Sequence, residues 1–240
     1  MKYLSIFVIT ALLISSCNVV NTRRIKGDGN ITSKTYTYKN FSSVEVENAM
    51  KVFLRQDSAY SVRIETDENL FNWIEVQVKD GNKLIVENKD NVSLSPTDEI
   101  KIYITMPLLD KISLSGASQL HTENKFIQDQ KLEVELSGAS SGNLLVKAPI
   151  VDIEVTGAST IHAEGECRDI IAEAVGASTI NAFNLLAESG KATATGASTI
   201  RLFSSVSLKA DATGASSIKY RGNPKITANS TGASSVSKDN

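Results

Sequence analysis

Three glutamates at equivalent positions of the chain, Glu135, Glu154 and Glu173, have the spacing best suited to chemistry. Successive members recur at one constant interval, and Glu133 and Asp152 lie beside them. If they share one face of successive coils of a β-solenoid, carboxylates about 5 Å apart repel and raise one another's pKa. Acidic clusters of this kind serve polysaccharide lyases and hydrolases, sometimes with Ca²⁺. The alternative is a solvated strand face on which the charges splay apart.

Two histidines and one cysteine complete the candidates for chemistry. His121 and His162 occupy the same repeat position two coils apart, about 10 Å, and each metal-binding nitrogen must come within about 2.1 Å of the ion. We therefore predict no metal site, and nothing in the sequence indicates a cofactor. Cys167 lies in a predicted loop beside Arg168, which could lower the thiol pKa. An inert thiol is nevertheless the expected outcome.

A short repeat specifies the elements that must position these residues. The tripeptide Gly-Ala-Ser occurs seven times at nearly regular intervals. A repeat of about 19 residues is too short for a helical hairpin and fits one coil of a β-solenoid. Its glycines are Gly116, Gly138, Gly157, Gly176, Gly196, Gly214 and Gly232. We interpret them as structural corners, since glycine accepts backbone angles that a side chain forbids and small residues stack at about 4.8 Å.

Alternation around each corner predicts one buried face. Positions two and four residues before the glycine are mostly apolar, and the position between them is mostly polar. The position four residues after the glycine is apolar in every repeat except at Gly142. The inward column there includes Ile161, Ile180 and Ile200. Because alanine lines the later coils, we expect a narrow core that Leu186 and similar apolar residues help to fill.

The first half of the chain is β-rich but less regular. We predict a helical turn opening at Asp67 and a loop over residues 88–98. This half, residues 26–108, is either a capping β-domain or a set of irregular early coils before the repeats of residues 109–240. The predicted strands are Lys34–Tyr38, Ser43–Val46, Lys51–Leu54, Ser61–Glu65, Ile74–Val78, Lys83–Glu87 and Ile100–Thr105.

The N-terminus predicts export and lipidation. An apolar run from Leu4 to Ile14 is too short for a permanent membrane helix and is typical of a signal peptide. The sequence Ile14-Ser15-Ser16-Cys17 resembles a bacterial lipobox, which implies cleavage after residue 16 and acylation of Cys17. Residues 17–25 would then be a lipidated tether.

Composition excludes some classes of function. The formal net charge is −2, so there is no overall basic field for nucleic acid. Aromatic residues make up 6%, which indicates no obvious platform for stacking sugars. With Cys17 acylated, Cys167 has no partner for an intrachain disulfide, and stability must come from the stacking of coils.

Six motifs of the chain point to a known family: Phe41–Val44, Ile64–Leu70, Asp80–Leu84, Ile112–Ser118, Tyr220–Pro224 and Gly232–Val236. Together they resemble the auto-transporter adhesin head GIN domain family, which is common in Bacteroidetes. The resemblance spans about residues 25–237. It implies a right-handed parallel β-helix, a location in the cell envelope and an adhesin-like role.

The sequence therefore predicts an all-β protein, a right-handed parallel β-helix with about 19 residues per coil in its C-terminal half. We expect a non-catalytic lipoprotein of the outer membrane, periplasmic or surface-exposed, that binds a glycan or a cell-surface protein. One alternative is a polysaccharide lyase or hydrolase that uses the glutamate column. Another is an envelope scaffold that binds nothing small.

Overall fold

A computed structural model describes residues 22–239, which form 21 β-strands and one short 3₁₀ helix. The predicted signal peptide and Cys17 lie outside the described residues. Within residues 22–239, no helix has the length and hydropathy needed to cross a bilayer. The predicted all-β class is confirmed.

The C-terminal half is a β-solenoid of about seven turns, roughly 20 residues apart, as the repeat predicts. Its strands pair in parallel with equivalent residues adjacent, so that Gly196 lies between Gly176 and Gly214. We call the strand residues before each glycine corner the incoming face and those after it the outgoing face. The strands are β10 (Lys111–Leu114), β11 (Gln119–Thr122), β12 (Phe126–Ile127), β13 (Leu132–Leu136), β14 (Ser141–Val155), β15 (Thr160–Gly176), β16 (Thr179–Gly196), β17 (Thr199–Phe203), β18 (Ser207–Gly214), β19 (Ser217–Arg221), β20 (Lys225–Gly232) and β21 (Ser235–Lys238).

The Gly-Ala-Ser corners are held by backbone geometry and by their serines. Gly157 has φ +75°, and a Cβ there would lie 2.6 Å from the carbonyl oxygen of Gly138 in the preceding coil. The neighbouring Ala158 N–H donates to that same oxygen at 2.8 Å. Ser178 is buried, and its hydroxyl lies 2.9 Å from the carbonyl oxygens of Val155 and Val175. The corner therefore requires glycine for close approach and serine to satisfy buried carbonyls.

The apolar columns face the interior as predicted. Ile161, Ile180 and Ile200 are each 0% exposed and stack in register. The prediction for Leu186 is wrong, because its side chain is 51% exposed and Leu185 is buried instead. The pairing of β15 with β16 shifts register after His162. That bulge absorbs an extra residue and reverses which side chain points inward.

The N-terminal half continues the stack, but not in chain order. Its strands are β1 (Arg23–Lys26), β2 (Ile31–Tyr36), β3 (Ser43–Val46), β4 (Lys51–Gln56), β5 (Ser61–Asp67), β6 (Ile74–Lys79), β7 (Lys83–Asn88), β8 (Val92–Ser95) and β9 (Lys101–Met106), with the 3₁₀ helix at Glu68–Trp73. β3 and β4 form one coil that lies between a later coil, made of β7 and β9, and the repeats at β10 and β11. β2, β5 and β6 then pair antiparallel at the end of the stack. This half therefore contains parallel coils and, beside them, antiparallel strands.

Two predictions about this half need correction. The predicted loop 88–98 contains β8, and the predicted tether 17–25 overlaps β1, which pairs in parallel with β8. A buried carboxylate fixes the chain that leads out of β1. Asp67 accepts hydrogen bonds from the N–H of Gly29 at 2.7 Å and from the N–H and hydroxyl of Thr97 at 2.9 and 2.7 Å. Because β1 begins at Arg23, any tether ends before that residue.

Candidate functional site

The three glutamates share one outward column of the incoming face. β13, β14 and β15 place Glu135 beside Glu154 and Glu154 beside Glu173 in parallel register. Their strand neighbours Val134 and Ile153 are buried, so alternation turns the carboxylates toward solvent. The geometric part of the expectation therefore holds, because stacking brings together residues that are one repeat apart in the sequence.

A lysine neutralises Glu135, the first glutamate of this column. Lys111 Nζ lies 2.5 Å from Glu135 Oε1, and the Ser113 hydroxyl donates to Glu135 Oε2 at 2.9 Å. Partial burial raises the pKa of Glu135, but the hydrogen bonds from Lys111 and Ser113 outweigh it and hold that pKa below its ordinary value. The expectation that neighbouring carboxylates raise this pKa is therefore wrong for Glu135.

A second lysine serves the flanking acids. Lys131 Nζ lies 2.8 Å from both Glu133 Oε1 and Asp152 Oδ2. Lys131 donates these hydrogen bonds, and the one to Asp152, followed by the one to Glu133, raises the pKa of Lys131. Sequence reasoning missed Lys111 because it lies 24 residues from Glu135 and meets it only through coil stacking. It also missed Lys131, although Lys131 lies two residues before Glu133 and could have been paired with it from the sequence.

Glu135 and Glu154 line a shallow depression of about 440 Å³ on the incoming face, whereas Glu173 does not. We call it the polar groove. It extends over β3, β7, β10, β13 and β14, and Lys83 pairs there with Glu45 at 3.0 Å. Its hydroxyl-bearing residues are Ser43, Ser113, Ser115, Ser137 and Thr156.

The polar groove offers hydrogen-bond donors and acceptors in nearly every direction. Hydroxyls both donate and accept, ammonium groups donate, and ionised carboxylates accept. That inventory complements a ligand that carries many hydroxyl groups. An acid catalyst is a poorer fit, because a carboxyl group with a lowered pKa holds no proton to donate at neutral pH.

The remaining candidates for chemistry are not brought together. His121 and His162 are separated in register by Asn143, which places them two coils apart as predicted. In the described part of the chain, no three His, Cys, Asp or Glu side chains are grouped closely enough to hold a metal ion.

Cys167 differs from its predicted environment. It lies within β15 rather than in a loop, and it is buried. Burial, followed by the charge of Asp169, raises the thiol pKa to about 12. The expectation that Arg168 lowers this pKa is wrong, because the Arg168 guanidinium pairs with Asp169 at 2.7 Å.

An aromatic ladder that the sequence analysis missed lies on the outgoing face. Phe53 and Tyr103 come from adjacent coils, and their rings stack with centroids 4.9 Å apart and 12° between their planes. The Arg63 guanidinium lies 3.9 Å from the centre of the Tyr103 ring. His121 meets Phe53 edge-on. The rings cover one another's faces, so the ladder offers little open surface for stacking a sugar.

Comparisons with known proteins agree on one fold. The family model described as "Putative auto-transporter adhesin, head GIN domain" matches residues 40–224. A search of curated proteins found no match.

Three crystal structures resemble this chain along nearly its whole length. A putative adhesin from Bacteroides fragilis has a TM-score of 0.83 at 22% identity, over 90% of this chain and 100% of that one. A putative lipid binding protein from Parabacteroides distasonis has a TM-score of 0.74 at 18% identity, over 91% and 100%. A putative adhesin from Parabacteroides merdae has a TM-score of 0.70 at 18% identity, over 91% and 100%. At these identities the resemblance establishes the fold alone.

Proposed function

Because the chain belongs to the auto-transporter adhesin head GIN domain family, whose model covers residues 40–224, we propose that it is a non-catalytic binding module of the bacterial cell envelope with an adhesin-like role. The family match is the observation that carries this proposal. Two of the three structural relatives are also described as adhesins.

The polar groove is the surface that we assign to ligand binding. It is concave, and Lys83 and Lys111 form ion pairs there with Glu45 and Glu135. Charged and hydroxyl groups fixed in advance lose less conformational entropy when a ligand binds. We propose a glycan as the ligand, since sugar hydroxyls match the mixed donors and acceptors of the groove.

The charge state of the groove argues against a carbohydrate-active enzyme. Most glycosidases need one carboxyl group that stays protonated so that it can donate to the leaving oxygen. Lys111 and Ser113 do the opposite at Glu135, because their hydrogen bonds favour the ionised carboxylate. Lys111 and Lys131 also pair with carboxylate oxygens that a Ca²⁺ site would require as ligands.

We further propose that a lipid on Cys17 anchors the protein to the outer membrane, facing the periplasm or the cell surface. Strand β1 begins at Arg23, and residues 18–22 lie between it and the lipid. A fully extended chain of that length reaches only about 20 Å, so the ordered domain stays close to the membrane. Metabolic labelling with an alkyne fatty acid should mark the wild type and leave Cys17→Ser unlabelled. Equal labelling of both would refute the anchor.

Glycan binding can be tested with the full-length protein purified in detergent. We expect the wild type to bind a subset of a glycan array. The double variant K111Q/E135Q, which keeps the net charge, should weaken that binding about tenfold, because it removes two charge-assisted hydrogen bonds. K191Q changes a lysine of the same face outside the groove and should bind as the wild type does. Absence of wild-type binding to any glycan, or full binding by K111Q/E135Q, would refute the proposal.

A further inference from the structure

A second surface, on the outgoing face near the C-terminus, carries cations without acidic partners. Arg201 in β17 and Lys219 in β19 are adjacent in parallel register, and both point away from the buried Ile200 and Ile218. Arg201 donates only to the amide oxygen of Asn181, at 2.8 Å. Within residues 22–239, neither cation forms an ion pair. We call these two residues the cation ladder.

Lysines elsewhere on the same face differ in this respect. Lys51 lies 3.1 Å from Glu99, and Lys101 lies 2.9 Å from Asp98 and 3.5 Å from Glu65. Opposite charges close to each lysine cancel its field in water. The cation ladder differs because, in the described part of the chain, no carboxylate lies within ion-pair distance of Arg201 or Lys219.

Charge is also segregated along the solenoid. Residues 190–239 contain seven lysines and arginines and two acidic residues. Residues 129–189 contain three lysines and arginines and ten acidic residues. The formal net charge of −2 hides this separation. Local potential rather than net charge decides where a charged polymer associates. The last coils therefore carry a formal excess of positive charge, and Lys209 and Arg221 are the members of this set that pair with its two acids, Asp211 and Asp239.

The neighbours of the cation ladder are suited to a sugar polymer. Thr199 and Ser217 are adjacent in register on the same face and belong to a column of hydroxyl side chains that runs from Ser141 to Ser235, one from each coil. On the other flank, the Arg221 guanidinium lies 4.1 Å from the centre of the Phe183 ring. Cations and hydroxyls thus repeat at the strand spacing of about 4.8 Å. Because a guanidinium covers the Phe183 ring, that ring is a poor platform for a nucleic-acid base.

We infer that the cation ladder binds an acidic polysaccharide, whose carboxylates or sulfates contact Arg201 and Lys219 while its hydroxyls contact Thr199 and Ser217. This site is separate from the polar groove, and it adds an anionic ligand class to the proposed function. Arg201 contributes a planar fork that can hold a carboxylate by two hydrogen bonds, and Lys219 contributes a point charge.

The test uses full-length protein in detergent and immobilised polygalacturonate, with dextran sulfate as a sulfated polymer and dextran as a neutral one. We expect polygalacturonate binding that weakens as NaCl rises, because polyanion binding releases counterions. The variant R201Q/K219Q should weaken binding about tenfold and flatten the salt dependence. The matched control K51Q/K101Q removes the same charge from the same face and should stay within about twofold of the wild type.

Other results would overturn the inference. The inference fails if the wild type does not bind polygalacturonate, or if it binds neutral dextran as strongly as polygalacturonate. It also fails if R201Q/K219Q and K51Q/K101Q weaken polygalacturonate binding by the same factor. Stronger binding to phosphatidylglycerol vesicles, or to a single-stranded oligonucleotide, would assign the surface to another class of partner. Loss of polygalacturonate binding in K111Q/E135Q alone would move the site to the polar groove, which would overturn the cation ladder and leave the proposed function standing.

Discussion

Replacing Ile180 with aspartate tests the inward column on which the whole register depends. Ile180 is 0% exposed and stacks between Ile161 and Ile200. Removing a buried isoleucine side chain costs about 2–5 kcal/mol, and a buried carboxylate without a partner adds several more. The sum, at least about 5 kcal/mol, is comparable with the whole stability of many domains.

The neighbouring residue supplies a matched control. Thr179 precedes Ile180 in β16 and points to the solvent side, so Thr179→Asp introduces the same charge outside the core. We expect Ile180→Asp to lower the melting temperature by more than about 10 °C, and Thr179→Asp to change it by only a few degrees. Circular dichroism measures both melting temperatures.

Hydrogen exchange sharpens this test. In a solenoid each coil contacts only its neighbours, so damage at Ile180 should first remove protection from β16 and the coils after it. Protection in β4 and β9, several coils away, should survive at low temperature. Equal melting of Ile180→Asp and wild type, or equal damage from Thr179→Asp, would refute the inward assignment.

Three further predictions concern single residues. Gly157→Ala should destabilise the protein by about 2 kcal/mol or more, because it combines a positive φ with a Cβ 2.6 Å from a carbonyl oxygen. The control Gly142→Ala should be neutral or stabilising, because its Cβ would meet only side chains at 3.4 Å or beyond. Urea unfolding measures the stability of both variants, and equal losses would contradict the corner argument. Asp67→Asn should cost about 2 kcal/mol at pH 6. Burial alone would raise the pKa of Asp67, but hydrogen bonds from Thr97 and Gly29 lower it below 3.8. The carboxylate therefore stabilises the fold above pH 3.8, and this stabilisation is lost as the pH falls through the lower pKa of the folded state. The gap between wild type and Asp67→Asn in urea unfolding should therefore shrink below pH 3.8, and a gap that stays constant would contradict the assignment. Cys167, with a thiol pKa of about 12, should resist alkylation by iodoacetamide at pH 8 until urea unfolds the chain. Mass spectrometry measures the alkylation, and rapid alkylation of the folded protein would show that the thiol is more accessible than its burial indicates.

Much of the secondary structure could be read locally. Ser43–Val46 was predicted with the bounds that the structure has, and the other six predicted early strands lie within a few residues of the observed bounds. Alternation also identified Ile161, Ile180 and Ile200 as buried. These features follow from side chains alternating about a strand, which needs no knowledge of distant residues.

The failures share a cause, which is that they depend on register between distant segments. The interval from Gly176 to Gly196 is longer by one than the interval before it, which indicates an extra residue, but only the bulge after His162 decides that Leu185 rather than Leu186 lies inside. β8 was missed because its partner β1 is far away in the chain.

The candidate sites divide in the same way. The sequence by itself determined the solenoid, the glycine corners and the column of three glutamates, because each is a pattern that recurs in successive coils. Only the tertiary structure decided that Lys111 neutralises Glu135, that Phe53 meets Tyr103, and that Arg201 forms no ion pair within the described residues. Those contacts arise where the coil formed by β3 and β4 is inserted between later coils, or where side chains from adjacent coils meet. A repeat specifies which way a residue points, whereas the order of stacking decides what lies beside it.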